Sequence, residues 1–274
     1  MKRVLLLALA TLLSIGFVSC QSEEENERDT LVVGMEAAYA PFNWTLYEGN
    51  QYEEAYPLEG TNNYVDGYDV QIAILIAQAL DMDLIIKSVE WDGLIPSLNN
   101  TKEIDLIIAG MSPTASRAQT VNFTDEYYSS THVIVLRADS PYVNATSIND
   151  FDGALMVGQL STIYDDLIDQ MPGINHEDPL ADVPTIITGI NSGIYDGTIL
   201  ELPVAMAATE SNPNLTYLEF EQGQGFNVSY EDKAVSIALR QDDAELLSQI
   251  NEILSNISNE TRESLMLDAI ERQP

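Results

Sequence analysis

The chain has 274 residues and a formal net charge of −33, with 44 Asp and Glu against 11 Lys and Arg. So acidic a surface repels phosphate and excludes nucleic acid as a partner, because binding there depends on Lys and Arg displacing counterions. The single cysteine, Cys20, excludes an internal disulfide or a cysteine-based zinc site; His132 and His176 are too few for a His-rich metal site, so no cofactor is expected.

Lys2 and Arg3 precede an apolar run from Val4 to Val18, the layout of a secretory signal over residues 1–19. The run is shorter than the roughly 20 residues a membrane-spanning helix needs. Phe17-Val18-Ser19-Cys20 resembles a bacterial lipobox, in which the cysteine carries acyl chains such as palmitate and becomes the mature N-terminus; two chains anchor stably where one does not. Cleavage at a small residue, with Cys20 incidental, is the alternative. Residues 20–30 then read as the lipidated cysteine and an acidic tether, QSEEENERD, with no apolar residue to bury and an average reach of roughly 15–18 Å.

From Leu31 the pattern changes. Leu31 to Gly34, Leu84 to Ile86 and Ile104 to Ala109 read as buried strands; Asp69 to Leu80, with Asp69 as N-cap, and Leu94 to Asn100 read as helices. A second run follows, with strands at Leu155 to Val157 and Thr198 to Leu200 and a helix from Thr162 to Gln170. Alternation of this kind predicts an α/β protein with parallel sheets covered by helices, and the length suits two lobes.

Tyr39-Ala40-Pro41-Phe42, Gly67-Tyr68-Asp69-Val70, Trp91-Asp92-Gly93-Leu94-Ile95-Pro96-Ser97-Leu98, and Gly110-Met111-Ser112-Pro113-Thr114-Ala115-Ser116-Arg117 with Asn122-Phe123-Thr124 occur in that order. Together they resemble the landmarks of the polar amino-acid family of solute-binding proteins that serve ABC importers. The resemblance runs from about Leu31 to the helix near Ile257 and implies a type II periplasmic-binding-protein fold. Two α/β lobes are then joined by hinge-crossing segments near Thr131 to Leu136 and Asn227 to Val235. Lobe one would comprise residues 31–130 and 228–274, and lobe two residues 131–227. The expected partners are a small-molecule amino acid, the membrane subunits of an ABC importer, and a membrane reached through the lipid anchor at the outer face of the cell membrane; the protein is expected to be a monomer and not an enzyme.

An α-amino acid presents a carboxylate, an ammonium and a side chain. Arg117 follows a turn-forming Ser-Pro-Thr segment, and its planar guanidinium suits bidentate carboxylate recognition. An isolated arginine is more often a surface ion-pair partner, but after loss of Lys2 and Arg3 only 11 − 2 = 9 cations remain, and one sits in this motif. The resemblance gives Arg117 the ligand α-carboxylate, with Ser112 and the backbone of Gly110 and Thr114 completing the cradle. Ser161 and Thr162 open the helix of the second lobe, where free N–H groups favour an anion. They stand where the family has a Gly-Thr-Thr turn, with Leu160 taken as the replacement for its glycine. By the same alignment Glu201, a short strand beyond Asp196, replaces the family's Asp as acceptor of the α-ammonium. Tyr39 and Trp91 would flank the ligand side chain, and Glu36, three residues before Tyr39, suggests a cationic or amide-bearing ligand such as arginine, lysine or glutamine.

Other classes stay open at this level. A secreted cyclohexadienyl (prephenate or arogenate) dehydratase resembles these binders and uses acids in a closed cleft. Arg117 with Glu201 matches a zwitterion better than prephenate, whose two carboxylates call for more cations. A receptor sensor domain would need a signalling segment beyond Pro274. Asn-x-Ser/Thr triplets from Asn43 to Asn259 would suit a eukaryotic secreted glycoprotein, a reading the lipobox-like cysteine opposes.

Overall fold

The computed structural model describes residues 29–47 and 53–273; the expected signal, Cys20 and most of the tether lie outside them. The apolar run at Leu31 forms strand Thr30–Met35, paired in parallel with Asp83–Ser88 on one side and Leu106–Ile107 on the other. Between the first two strands lies helix Tyr68–Leu80. It buries Tyr68, Ile72 and Ile76, spaced four residues apart so that they share one face. The segment expected as a helix over residues 94–100 is Leu94–Pro96 followed by a wider turn, Ser97–Thr101.

Asp69 is not the N-cap of its helix. Gly67 takes that position at φ 134, where a Cβ would lie 2.2 Å from the Phe42 carbonyl oxygen, so only glycine fits. Asp69 sits one residue inside the helix, fully buried, with its carboxylate turned to Asn43 and Tyr127.

Two five-stranded sheets organise the molecule. The first runs Asp83–Ser88, Thr30–Met35, Leu106–Ile107, Ala234–Leu239, Asn122–Ser129. The second runs Asn175–His176, Leu155–Met156, Gly197–Glu201, His132–Arg137, Leu215–Leu218. The alternating pattern predicted parallel sheets, and neither sheet is wholly parallel. Two pairings are parallel in each, and two are antiparallel: Ala234–Leu239 with both of its neighbours in the first, and His132–Arg137 with both of its neighbours in the second. Strand His132–Arg137 reaches the second sheet only two residues after Asn122–Ser129 leaves the first, and the chain returns between Leu215–Leu218 and Ala234–Leu239. A strand that enters a sheet directly from another, without a helical crossover, has no need to run parallel.

A third sheet was not anticipated. Ala38–Tyr39, Asn43–Leu46, Tyr64–Asp66 and Tyr56–Pro57 form an antiparallel meander between the first strand and the first helix. Its inner residues join an aromatic floor: Tyr39 stacks on Phe42 at 5.6 Å, Phe42 meets Tyr68 and Tyr128 edge-on, and Tyr68 stacks on Tyr127 at 5.8 Å. Such pairs stabilise by about 0.5–1.5 kcal/mol beyond their buried area. Among the described residues no helix is long and apolar enough to cross a membrane.

Candidate functional site

The strands of both sheets end at one cleft. From the first sheet's side come Glu36, just beyond strand Thr30–Met35, Tyr39 from the meander, Trp91, Gly110, Ser112 and Arg117; from the second come Gln159, Thr162, Ile163 and Tyr164. They enclose a cavity of about 10 Å³, room for about one water. Outside it lies a larger cavity of about 530 Å³, lined by Trp91, Thr114, Arg117, Ser161 and Thr162 together with Asp92, Asp165, Asp166 and Asp232.

Seven of the ten residues expected at the site, namely Glu36, Tyr39, Trp91, Gly110, Ser112, Arg117 and Thr162, line the inner cavity. Thr114 and Ser161 line only the outer one. Glu201 lines neither, but its carboxylate accepts a hydrogen bond from the Tyr39 hydroxyl and another from Tyr164. The other oxygen of Glu201, Oε1, is buried with no hydrogen-bond partner among the described residues.

Arg117 reaches across the cleft. Its Nη1 donates to the Ser112 carbonyl at 2.8 Å and its Nη2 to the Ser161 carbonyl at 3.0 Å. The guanidinium lies 5.1 Å from the Trp91 ring centroid, a cation–π distance, and the indole Nε1 points at the same Ser161 carbonyl at 3.4 Å. Burial lowers the pKa of Arg117 from its ordinary value, against the pull of nearby Tyr164, Glu201 and Asp166. At the other wall Gln159 Nε2 donates to Glu36 at 3.2 and 3.4 Å and to the Ala181 carbonyl at 3.1 Å. Burial pushes Glu36 up to about 7, with Asp182, Glu90 and Asp92 adding repulsion and Gln159 opposing it. Burial likewise raises Glu201, against hydrogen bonds from Tyr164 and Tyr39 and the charge of Arg117.

The turn before the second lobe's helix differs from expectation in one respect. Ser161, not Leu160, holds the left-handed backbone, at φ 61. The position where glycine is at ease is therefore Ser161, while Leu160 donates its N–H to the Leu180 carbonyl. Thr162 is the N-cap of the six-residue helix Ile163–Ile168, and its hydroxyl donates to the Gln159 carbonyl at 2.7 Å.

Sequence reasoning missed Gln159, Ile163 and Tyr164. They flank the Ser161-Thr162 turn within two residues on either side, and that adjacency was the available signal. Among the described residues no cluster of three or more His, Cys, Asp or Glu side chains could hold a metal ion.

The two sheets, the direct crossings between them and the cleft at their junction define a two-lobe binding protein of the type II periplasmic class. The chain belongs to the bacterial extracellular solute-binding proteins, family 3, whose model matches residues 31–267. It is 28% identical over 268 residues to the arginine-binding extracellular protein ArtP of Bacillus subtilis (strain 168), covering 94% of each chain. Holo ArgBP from T. maritima superposes with a TM-score of 0.68 at 30% identity, over 85% of this chain and 92% of that one. The substrate-binding protein AbpA from Streptococcus pneumoniae, bound to L-arginine, gives a TM-score of 0.73 at 23% identity, over 88% and 94% of the two chains, and shares the fold. The matched family and relatives are binding proteins rather than enzymes, and the family's place is outside the cytoplasm.

Proposed function

We propose that this protein captures an α-amino acid with a cationic side chain, L-arginine foremost, in the cleft between its lobes. It is an extracytoplasmic amino-acid-binding protein that delivers its ligand to an ABC importer. The observation that carries the ligand assignment is the shared cavity of Glu36 and Arg117: a buried carboxylate and a half-buried guanidinium face the same space. Arg117 would take the α-carboxylate, with Ser112, Gly110, Thr114, Ser161 and Thr162 around it. The unpartnered Oε1 of Glu201 would accept the α-ammonium, since a buried acceptor left unmade costs roughly 1–3 kcal/mol. Glu36 would meet the side-chain cation, between Tyr39 and Trp91. The arginine-binding names of the relatives above support the same ligand.

A cavity of about 10 Å³ cannot admit an amino acid, so entry requires the lobes, residues 31–130 with 228–274 and 131–227, to part at the crossings. The ligand then exchanges the interlobe bonds of Arg117, Gln159 and Tyr39 for its own and shifts the population back toward closure. Cys20 would carry the lipid that tethers the monomer to the outer face of the membrane, through the acidic segment that follows.

Calorimetric titration with each of the twenty amino acids tests the reading. Arginine is expected to bind most tightly, and Arg117→Ala to abolish binding with the circular dichroism spectrum unchanged. Preferential binding of aspartate or glutamate, or affinity retained within a few-fold in Arg117→Ala, would refute it.

A further inference from the structure

Behind the cavity lies a buried polar cluster that takes no part in lining it. Asn43, Asp69 and Tyr127 are each 0% exposed. Asp69 Oδ2 accepts from Asn43 Nδ2 at 2.8 Å, and Asp69 Oδ1 accepts from the Tyr127 hydroxyl at 2.6 Å. Each partner passes the connection on. Asn43 Oδ1 accepts the Ala37 N–H at 2.7 Å, and the Tyr127 hydroxyl oxygen accepts the Gly110 N–H at 3.2 Å.

Both end points are left-handed backbone. Ala37 stands at φ 57 and Gly110 at φ 62. Ala37 directly follows Glu36, and Gly110 itself lines the cavity, where a Cβ would sit 3.0 Å from Tyr39 Cε1. The left-handed region costs an alanine roughly 1–2 kcal/mol, so the turn at Ala37 persists because something holds it. Asn43 holds the Ala37 N–H, and Thr45 donates its hydroxyl to the Ala37 carbonyl at 2.9 Å. Tyr127 is itself fixed, stacked on Tyr68 at 5.8 Å and with its carbonyl accepting the Tyr68 hydroxyl at 2.7 Å.

We infer that Asp69 is a positioning residue for ligand binding: acting through Asn43 and Tyr127, one buried carboxylate holds in register the two left-handed turns that carry Glu36 and Gly110 to the cavity. The inference rests on the amino-acid site proposed above. It gives a chemical role to a residue that touches no cavity space, and it explains the donor and acceptor pattern of the cluster. Asp69 has to accept twice, because Asn43 already uses its oxygen on Ala37 and Tyr127 already uses its own on Gly110.

That pattern dictates the experiment. Asp69→Asn leaves one acceptor where two donors converge, so either the Asn43 amide or the Tyr127 hydroxyl loses its partner, while size and shape stay nearly unchanged. The exchanged pair, Asn43→Asp with Asp69→Asn, restores complementarity: the carboxylate now at position 43 accepts from the Ala37 N–H and from the new amide at position 69, whose own oxygen accepts from Tyr127. Binding of L-arginine is measured by calorimetry on the full chain, and each unliganded variant is followed through thermal melting. Asp69→Asn is expected to weaken binding by about tenfold or more, and the exchanged pair to return affinity to within about threefold of wild type. Tyr127→Phe, which removes the hydroxyl joining Asp69 to Gly110 and leaves the Asn43 arm in place, is expected to weaken binding as well, and decides the matter if Asp69→Asn does not fold. Affinity within about twofold of wild type in both single variants, or no recovery in the exchanged pair, would overturn the inference. Arg117→Ala is run alongside. If arginine binding survives it, the site reading has failed and the role of Asp69 falls with it; if binding is lost there and unchanged in the Asp69 variants, only the positioning role falls.

Discussion

Glu36→Gln removes one charge from the cavity and alters little else, since Gln159 Nε2 can still donate to the remaining carbonyl oxygen. In the cleft Glu36 has a pKa of about 7 against an ordinary 4.5, raised first by burial. The difference of about 2.5, at about 1.4 kcal/mol per unit, makes the ionised carboxylate about 3 kcal/mol less favourable there than in water. The sign follows from which state holds the proton. A carboxylate raised by folding contributes stability that is complete below about pH 4.5 and is lost as pH rises through about 7. A guanidinium or ammonium arriving beside it reverses this, because it favours the ionised form. Arginine affinity of the wild type is therefore expected to rise between about pH 5 and about pH 8, by up to about 100-fold, and then to level. In Glu36→Gln the profile should be much flatter, binding at about pH 8 at least tenfold weaker, and the unliganded protein more stable at that pH by up to about 3 kcal/mol. Asp69 and Glu201, whose pKa values burial also raises, are common to both proteins, so the difference between the two profiles isolates Glu36. Calorimetry over that pH range and melting of the unliganded proteins provide the readings. Identical pH profiles, or arginine affinity unchanged by the substitution, would refute the pairing of Glu36 with a ligand cation.

Two further predictions concern stability. Arg272 clasps the fully buried Asp66 through Nε at 2.9 Å and Nη2 at 3.0 Å; Arg272→Ala leaves that carboxylate without its cation, with the Gly67 N–H still donating to it at 2.6 Å, and should cost about 3 kcal/mol, an expectation that an unchanged denaturation midpoint would contradict. Ser161→Gly relieves a serine held at φ 61 and, after the entropy that glycine adds to the unfolded chain, should raise stability by up to about 1 kcal/mol; a lower melting temperature would show that the serine side chain matters more than the backbone strain.

Much of the cleft was legible in the chain. Arg117, Trp91 and Glu36 stood out because cations are scarce, because the blocks that carry Arg117 and Trp91 come in a fixed order, and because Glu36 stands three residues before Tyr39. Gln159 and Tyr164 did not stand out, because neither residue type is unusual beside a helix start, and what singles them out is the opposite wall of the cleft. The same holds for Asp69. Read locally, an Asp at the head of an apolar helix is an N-cap. In the fold, Gly67 occupies that position because Phe42 leaves no room for a Cβ, and the carboxylate is claimed by Asn43 and Tyr127, 26 residues before it and 58 after it.

By itself the sequence determined an α/β protein long enough for two lobes, because short apolar segments in alternation depend on local periodicity and residue type; the amino-acid cleft between the lobes was implied by the resemblance that its ordered motifs carry. Only the tertiary structure decided that each sheet takes antiparallel strands, that an additional meander carries Tyr39, that Ser161 rather than Leu160 holds the left-handed turn, and that Glu201 lies behind two tyrosine hydroxyls. Each of these depends on which distant groups compete for the same backbone or carboxylate. That competition is settled by packing between segments far apart in the chain, and nothing in local sequence encodes it.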